Sequence, residues 1–275
     1  MKLQPVSRQE FGNKRWQRYT GYGFAAAQTV SPLVLQELPK VMLSLPIAFM
    51  AAGTAEGEAP AFMTVAVQGL AQGQNLCVHP SGAWVAGYVP AALRSHPFYM
   101  ASTPDGQQLL CFDADSGLLR EDASGEAFFG DDGQPSAAVA SVMQFLTNLA
   151  AQRPMVARAC AALQAHGLIQ PWAITLKTGE GEKSLQGLFR VDEEKLNQLD
   201  GAALHALQQA GALGLAYCQM LSQQHLSTLG RLAEQQVQWR SAAAQAAAAP
   251  ALPTTASGEL DLEFLNKGGT LHFGG

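Results

Sequence analysis

The chain has 275 residues and a mass of 29.1 kDa, enough to bury a sizeable core as one domain or as two modest subdomains. Hydrophobic residues make up 48% of it and charged residues only 14%, well below the usual ~25%, so a polar but weakly charged surface is expected. A net charge of −5 argues against nucleic-acid or anionic-membrane binding, which needs a basic stripe.

Residues 1–30 hold five of the seventeen basic residues, Lys2, Arg8, Lys14, Arg15 and Arg18, with Trp16, Tyr19, Tyr22 and Phe24 among them. Such an amino-terminal arm could contact a partner, but it reads more simply as one that lays its aromatics on the body and solvates its charges. No apolar stretch of signal-peptide length follows the first charges, and the apolar run 41–52 is too short to span a bilayer and is broken by Pro46. A soluble, cytoplasmic protein without a membrane span is expected. Cys77, Cys111, Cys160 and Cys218 lie far apart in apolar patterns, as free buried thiols in a reducing compartment do. Residues 21–26 match G-x-G-x-x-A, but no apolar strand precedes them, so no nucleotide site is expected there.

Ser31 as an N-cap and Pro32 at the first helical position predict a short helix limited by Pro39 and Pro46. Short apolar runs at 47–51, 62–68, 76–79, 84–89, 98–102 and 109–113 then predict strands, with turns at 53–57 and 104–106. Their spacing predicts a strand-rich subdomain, 31–134, built as an antiparallel meander or half-barrel. Pro90 ends the run 84–89, and Pro97 limits the following helix to residues 91–95, which places Arg94 and His96 beside a strand end. Arg94 is the one cation between Ser81 and Phe112, so a carboxylate such as Asp113 or Asp115, a carbonyl or a ligand anion is expected to meet it. Segment 113–133 carries seven acidic residues against one Arg and opens like a calcium loop with Asp113 and Asp115. Leu118 and Ser124 stand where an EF-hand has glycine and glutamate, so a solvated loop pinned by Phe128 and Phe129 is expected, without tight calcium binding.

From Pro135 the pattern becomes helical, and a subdomain 135–240 of helices with one hairpin is expected. Val139, Val142, Met143, Leu146 and Leu149 mark one buried face, Pro154 separates a second helix at 155–166, and Gly167 ends it. Runs 172–177 and 184–190 form the hairpin around a turn at 178–182. Asp192 caps the next helix, and helices 202–210 and 212–229 follow. Residues 241–258 read as a linker rich in Ala and Pro. In the tail, 259–275, Leu260, Leu262 and Phe264 alternate with acids, which leaves two readings open: docking on a sheet edge of this chain or of a partner, or a disordered tail.

The wording NLCVHPSGAWVAGYVPAALRSHPF at residues 75–98 resembles the central signature of the SapC family, bacterial proteins named after a surface-layer-associated locus. Pro46-Ile47-Ala48-Phe49, the acidic segment 111–133 and GLFRVDEEKL at 187–196 add to the resemblance, which covers roughly residues 24–230. It implies a connection with cell-surface or secretion processes and supplies no catalytic residue. A typical member has an Arg or an aromatic residue where this chain has Ser95-His96.

No G-x-S-x-G elbow, no Walker loop and no close His or Cys ligand pair occurs, so no cofactor or metal is expected. What remains is a polar set beside the central stretch: Asn75, His79, Trp84, Tyr88, Arg94, His96, Asp113 and Asp115, several of which would share one sheet end. Acid/base work by His96 would require a carboxylate such as Asp113 to orient its ring. The expected protein is an α+β binding or accessory protein that recognises a peptide or protein. The alternative is an enzyme acting on a peptide or small molecule at Arg94, His96 and Asp113.

Overall fold

A computed structural model describes residues 1–53, 61–103, 105–178 and 181–248. The chain opens with β1 (Leu3–Pro5), α1 (Arg8–Phe11), β2 (Arg15–Trp16), β3 (Val30–Pro32), α2 (Leu38–Val41), β4 (Ile47–Ala52) and β5 (Ala61–Val67). After a long loop come α3 (Ala91–Arg94), β6 (Phe98–Ser102), β7 (Gln108–Asp113), β8 (Leu119–Arg120) and β9 (Glu126–Ala127). The carboxy-terminal half holds α4 (Ala137–Ala165), β10 (Ile169–Thr178), β11 (Gly181–Val191), α5 (Glu193–Asn197), α6 (Gly201–Gln209), α7 (Ala212–Ser222) and α8 (Leu226–Ala248). Contacts divide the chain into two units, Met1–Gln236 and Val237–Gly275. In the second unit the described residues are helical through Ala248, inside the stretch expected as linker.

The fold is α+β, with a strand-rich amino-terminal half, antiparallel sheets and a helical carboxy-terminal half. Among the described residues the strands are shared among three sheets, ordered β1-β7-β6, β10-β11-β4-β5-β3 and β8-β2-β9, in place of one continuous meander. The carboxy-terminal hairpin extends the sheet of β4 and β5, where Phe189 pairs with Phe49. Residues 1–30 are woven in: β1 pairs with β7, and β2 lies between β8 and β9. Phe11, Phe98, Phe112 and Phe128, all 0% exposed, form an aromatic cluster with Trp16. Ring centroids lie 4.8 to 6.0 Å apart, in tilted and edge-on pairs that suit the ring quadrupoles.

Several expectations are corrected. Ser31 and Pro32 lie in β3, not in a helix: the Ser31 hydroxyl donates to Gln68 Oε1 at 3.0 Å, and Pro32 sits on an edge strand where its missing N–H breaks no ladder. Runs 76–79 and 84–89 are not strands but two arms of a loop joined by one bridge, Val78 to Trp84. Gly82, at φ +88°, turns that loop back on itself. The helix after Pro90 is one turn, Ala91–Arg94. Pro154 does not divide α4: Val139 and Leu146 before it, and Val156, Ala159, Cys160 and Leu163 after it, are all buried and hold both halves on the body. The helix expected at 212–229 breaks after Ser222, whose hydroxyl receives the Ile47 N–H at 2.8 Å. The paired strands β4–β5 and β10–β11 agree with the expected hairpins, whereas parts of their turns at 53–57 and 178–182 and the tail 259–275 lie outside the described residues.

Candidate functional site

The loop before α3 is shaped by its own polar groups. Asn75 is 4% exposed and ties two segments, donating from Nδ2 to the Ala25 carbonyl at 3.0 Å and accepting the Cys77 N–H at 2.9 Å. Its two bonds make it a structural staple. The Trp84 indole donates to the Tyr88 carbonyl at 3.0 Å and so curls residues 84–88 into a turn, with the Trp84 ring against Tyr22. His79 Nδ1 lies 2.8 Å from the Ser81 hydroxyl across the same loop.

Pro90 then presents the Ala91 N–H at the start of α3, and that N–H meets Glu37, a residue that sequence reasoning missed. Glu37 is 4% exposed. One carboxylate oxygen receives the Val34 N–H at 2.9 Å, and the other receives the Ala91 N–H at 2.8 Å and the Tyr88 hydroxyl at 3.2 Å. Burial, with the Glu37 charge second, raises the Tyr88 phenol above its ordinary pKa. The same hydroxyl accepts from Arg94 Nη2 at 3.1 Å, which completes a chain from the buried acid to the exposed guanidinium. Arg94 also lies over the rings of Tyr88 and Phe145, at 5.7 and 5.5 Å.

The expected clamp does not form. Asp113 Oδ1 accepts the backbone N–H groups of Lys2 and Asp115, at 2.9 and 3.2 Å, and Asp115 faces the Met1 amino group at 3.3 Å. Among the described residues neither acid bonds to Arg94 or to His96: Asp113 is held by the Lys2 and Asp115 N–H groups, and Asp115 by the Met1 amino group. His96, 8% exposed and joined to Pro97 by a cis peptide bond, stacks on Phe24 with centroids 3.7 Å apart and meets the edge of Tyr19. Burial lowers the His96 pKa, against a smaller opposing effect of the Asp113 charge. Tyr88, Arg94, His96 and, through Tyr88, Trp84 are thus brought together, whereas Asn75 and Asp115 serve elsewhere.

Two cavities flank this group. The larger, about 630 Å³, is an open cleft between β5, α4, β6, α3 and the segment from Phe24 to Glu37. Its walls are mainly apolar, with Leu33, Phe62, Leu149 and Val156 among them, and Gln28, Thr64, Ser95 and Arg153 supply scattered polar groups. The Arg153 guanidinium is exposed at this cleft and has no ion pair among the described residues. The smaller cavity, about 290 Å³, is lined by Trp16, Arg18, Tyr19, Arg94, Ser95, His96, Phe98 and Val142. Ser95 belongs to both walls. Arg18, Trp16 and Arg153 carried no local signal in the sequence, since only the fold brings them beside residues far along the chain.

The cysteines offer no activated nucleophile. Burial raises all four thiols, pushing Cys77 up to about 12, and in Cys160 it outweighs the 3.6 Å contact with the Thr64 hydroxyl. Among the described residues no group of three or more His, Cys, Asp or Glu is placed to hold a metal ion. No described helix is long and apolar enough to cross a membrane.

Comparison with curated proteins finds no match, and comparison with solved structures finds none either. The family model named SapC matches residues 6–229, a span that takes in the central loop, the aromatic cluster and both cavities, and the chain therefore belongs to the SapC family.

Proposed function

We propose that the protein is a non-catalytic binding or accessory protein that holds an extended, mostly apolar peptide segment of a partner, in a process connected with the cell surface or secretion. The observation that carries this reading is the cleft of about 630 Å³, long on apolar wall and sparse in polar groups, which suits side chains of a peptide held by a few hydrogen bonds. Its geometry favours holding over reacting. An enzyme at Arg94, His96 and Asp113 would need a carboxylate to orient the imidazole, and the Asp113 carboxylate is occupied by two backbone N–H groups instead. Free cysteine thiols, held protonated by burial, support a cytoplasmic setting for this role.

The test uses a displayed peptide library selected against the full chain, followed by affinity measurement on the winning peptides. Ala157 lines the cleft from an exposed position on α4, so Ala157→Trp fills the cleft without disturbing the core. Apolar peptides of micromolar affinity are expected, weakened at least about tenfold by Ala157→Trp at unchanged melting temperature. Selection of no peptide, or equal binding by the variant, would overturn the reading.

A further inference from the structure

The smaller cavity carries chemistry that the cleft lacks. Seven buried side-chain polar atoms among the described residues have no hydrogen-bond partner, and two of them, Trp16 Nε1 and His96 Nδ1, belong to residues that line this one cavity. Trp16 is 2% exposed and His96 8%. An indole N–H donates only, so what it lacks is an acceptor. Leaving such a donor buried and unmet is costly, and His96 Nδ1 is a second donor when it carries the ring proton, so an occupant that offers acceptors would satisfy both.

The rest of the wall has the same polarity. Arg18 holds Glu126 through Nε and Nη2, at 2.6 and 3.2 Å, and its Nη1 has no hydrogen bond among the described residues. Arg94 spends Nη2 on Tyr88, and its Nε and Nη1 have no hydrogen bond among the described residues. Tyr19 stays protonated, its phenol pushed up to about 12 by burial, and so adds no negative charge. The acids around the cavity are already engaged, Glu126 by Arg18 and Asp113 by the Lys2 and Asp115 N–H groups. Two guanidinium groups and the two residues with unpaired nitrogens therefore line one space with no carboxylate in its wall. Two guanidinium groups with an N–H donor between apolar walls match the several acceptor oxygens of a doubly charged tetrahedral anion.

We propose that this cavity is an oxyanion site for the phosphate or sulfate group of a small organic ligand, held by Arg18, Arg94, the Trp16 indole N–H and His96 in its Nδ1–H tautomer. Its volume of about 290 Å³ exceeds what the anion alone fills and leaves room for the carrier. The site stands independently of the peptide reading of the cleft.

The probe is inorganic phosphate, titrated into the nitrogen-15-labelled full chain at constant ionic strength. The readout is the Trp16 indole N–H resonance, assigned by its loss in Trp16→Phe. A saturable shift with a millimolar or tighter dissociation constant is expected. Arg94→Gln should weaken it at least about tenfold, and so should Arg18→Gln, whose side chain is 68% exposed and whose loss leaves the fold intact. Arg231→Gln on α8, an equal loss of charge outside the cavity, should change nothing. A Trp16 resonance that stays put, wild-type affinity in Arg18→Gln, or equal weakening by Arg231→Gln would overturn the site. Acetate binding as tightly as phosphate would overturn the tetrahedral assignment.

Discussion

Two neighbouring regions of the molecule share Trp16 and Phe98 yet are built on opposite terms. In the aromatic cluster, Phe11, Phe98, Phe112 and Phe128 have no exposed surface, and each ring packs on at least two others. In the ridge from Glu37 through Tyr88 and Arg94 to His96, polar atoms are buried too, but their satisfaction is uneven. Glu37 meets three donors, while His96 Nδ1 and the polar edge of Trp16 meet none. Complete packing marks the part that holds the fold. Incomplete pairing beside open space marks the part that the fold itself does not use up.

The sharpest way to break this comparison is Phe112→Ala. The ring touches Phe11, Phe98 and Phe128, so its removal should leave a cavity and cost about 3–5 kcal/mol of unfolding free energy in urea titration. A loss below about 1 kcal/mol would mean that the cluster is not the structural centre.

Next in size is Glu37→Gln, which keeps the shape but removes the charge from the three bonds to Val34, Ala91 and Tyr88. A destabilisation of about 1–3 kcal/mol is expected, measured by the same titration. Wild-type stability would show that the ridge holds its form without the carboxylate, and that backbone turns alone set α3.

The smallest effect is a slope with pH. Burial lowers the folded-state pKa of His96 below the unfolded value of about 6.5, so above that pH the ring is neutral in both states and stability is at its full value. As pH falls through about 6.5 the unfolded chain takes up the proton first, and stability should drop by up to about 1.4 kcal/mol per unit. The drop levels off once the folded ring titrates. His96→Asn should lack this component as pH falls through about 6.5, and parallel curves for the two proteins would mean that His96 ionises as freely folded as unfolded.

What the sequence made legible follows the same division. Strands β4 to β7 and the hairpin β10–β11 were readable because their apolar runs are bounded by turn residues, and the Asp192 cap because its carboxylate takes the Lys195 N–H locally, at 3.1 Å. Runs 76–79 and 84–89 have strand composition, yet the Leu76 N–H goes to the Gln68 carbonyl and the Val85 N–H to that of Cys77, so they fold as a loop. Composition does not show where backbone bonds go. Arg94 and His96 were identified from their place after Pro90, but their partners were not: the expected acids are held by the Lys2 and Asp115 N–H groups and the Met1 amino group, and Glu37 comes from a segment more than fifty positions earlier. A lone acid between Leu35 and Pro39 gives no sign that it will be enclosed. The one available hint was its apolar surroundings, since a carboxylate there needs donors from elsewhere.

Ser95, buried at the end of α3, forms wall for the cleft and for the smaller cavity at once. A shared wall makes two occupants partners in one equilibrium. Any displacement of Ser95 that one occupant favours alters the affinity for the other, and the factor is the same in whichever order they arrive. Cooperativity between a small anion and a larger guest would thus need no relay across the molecule, only the few atoms of this one residue.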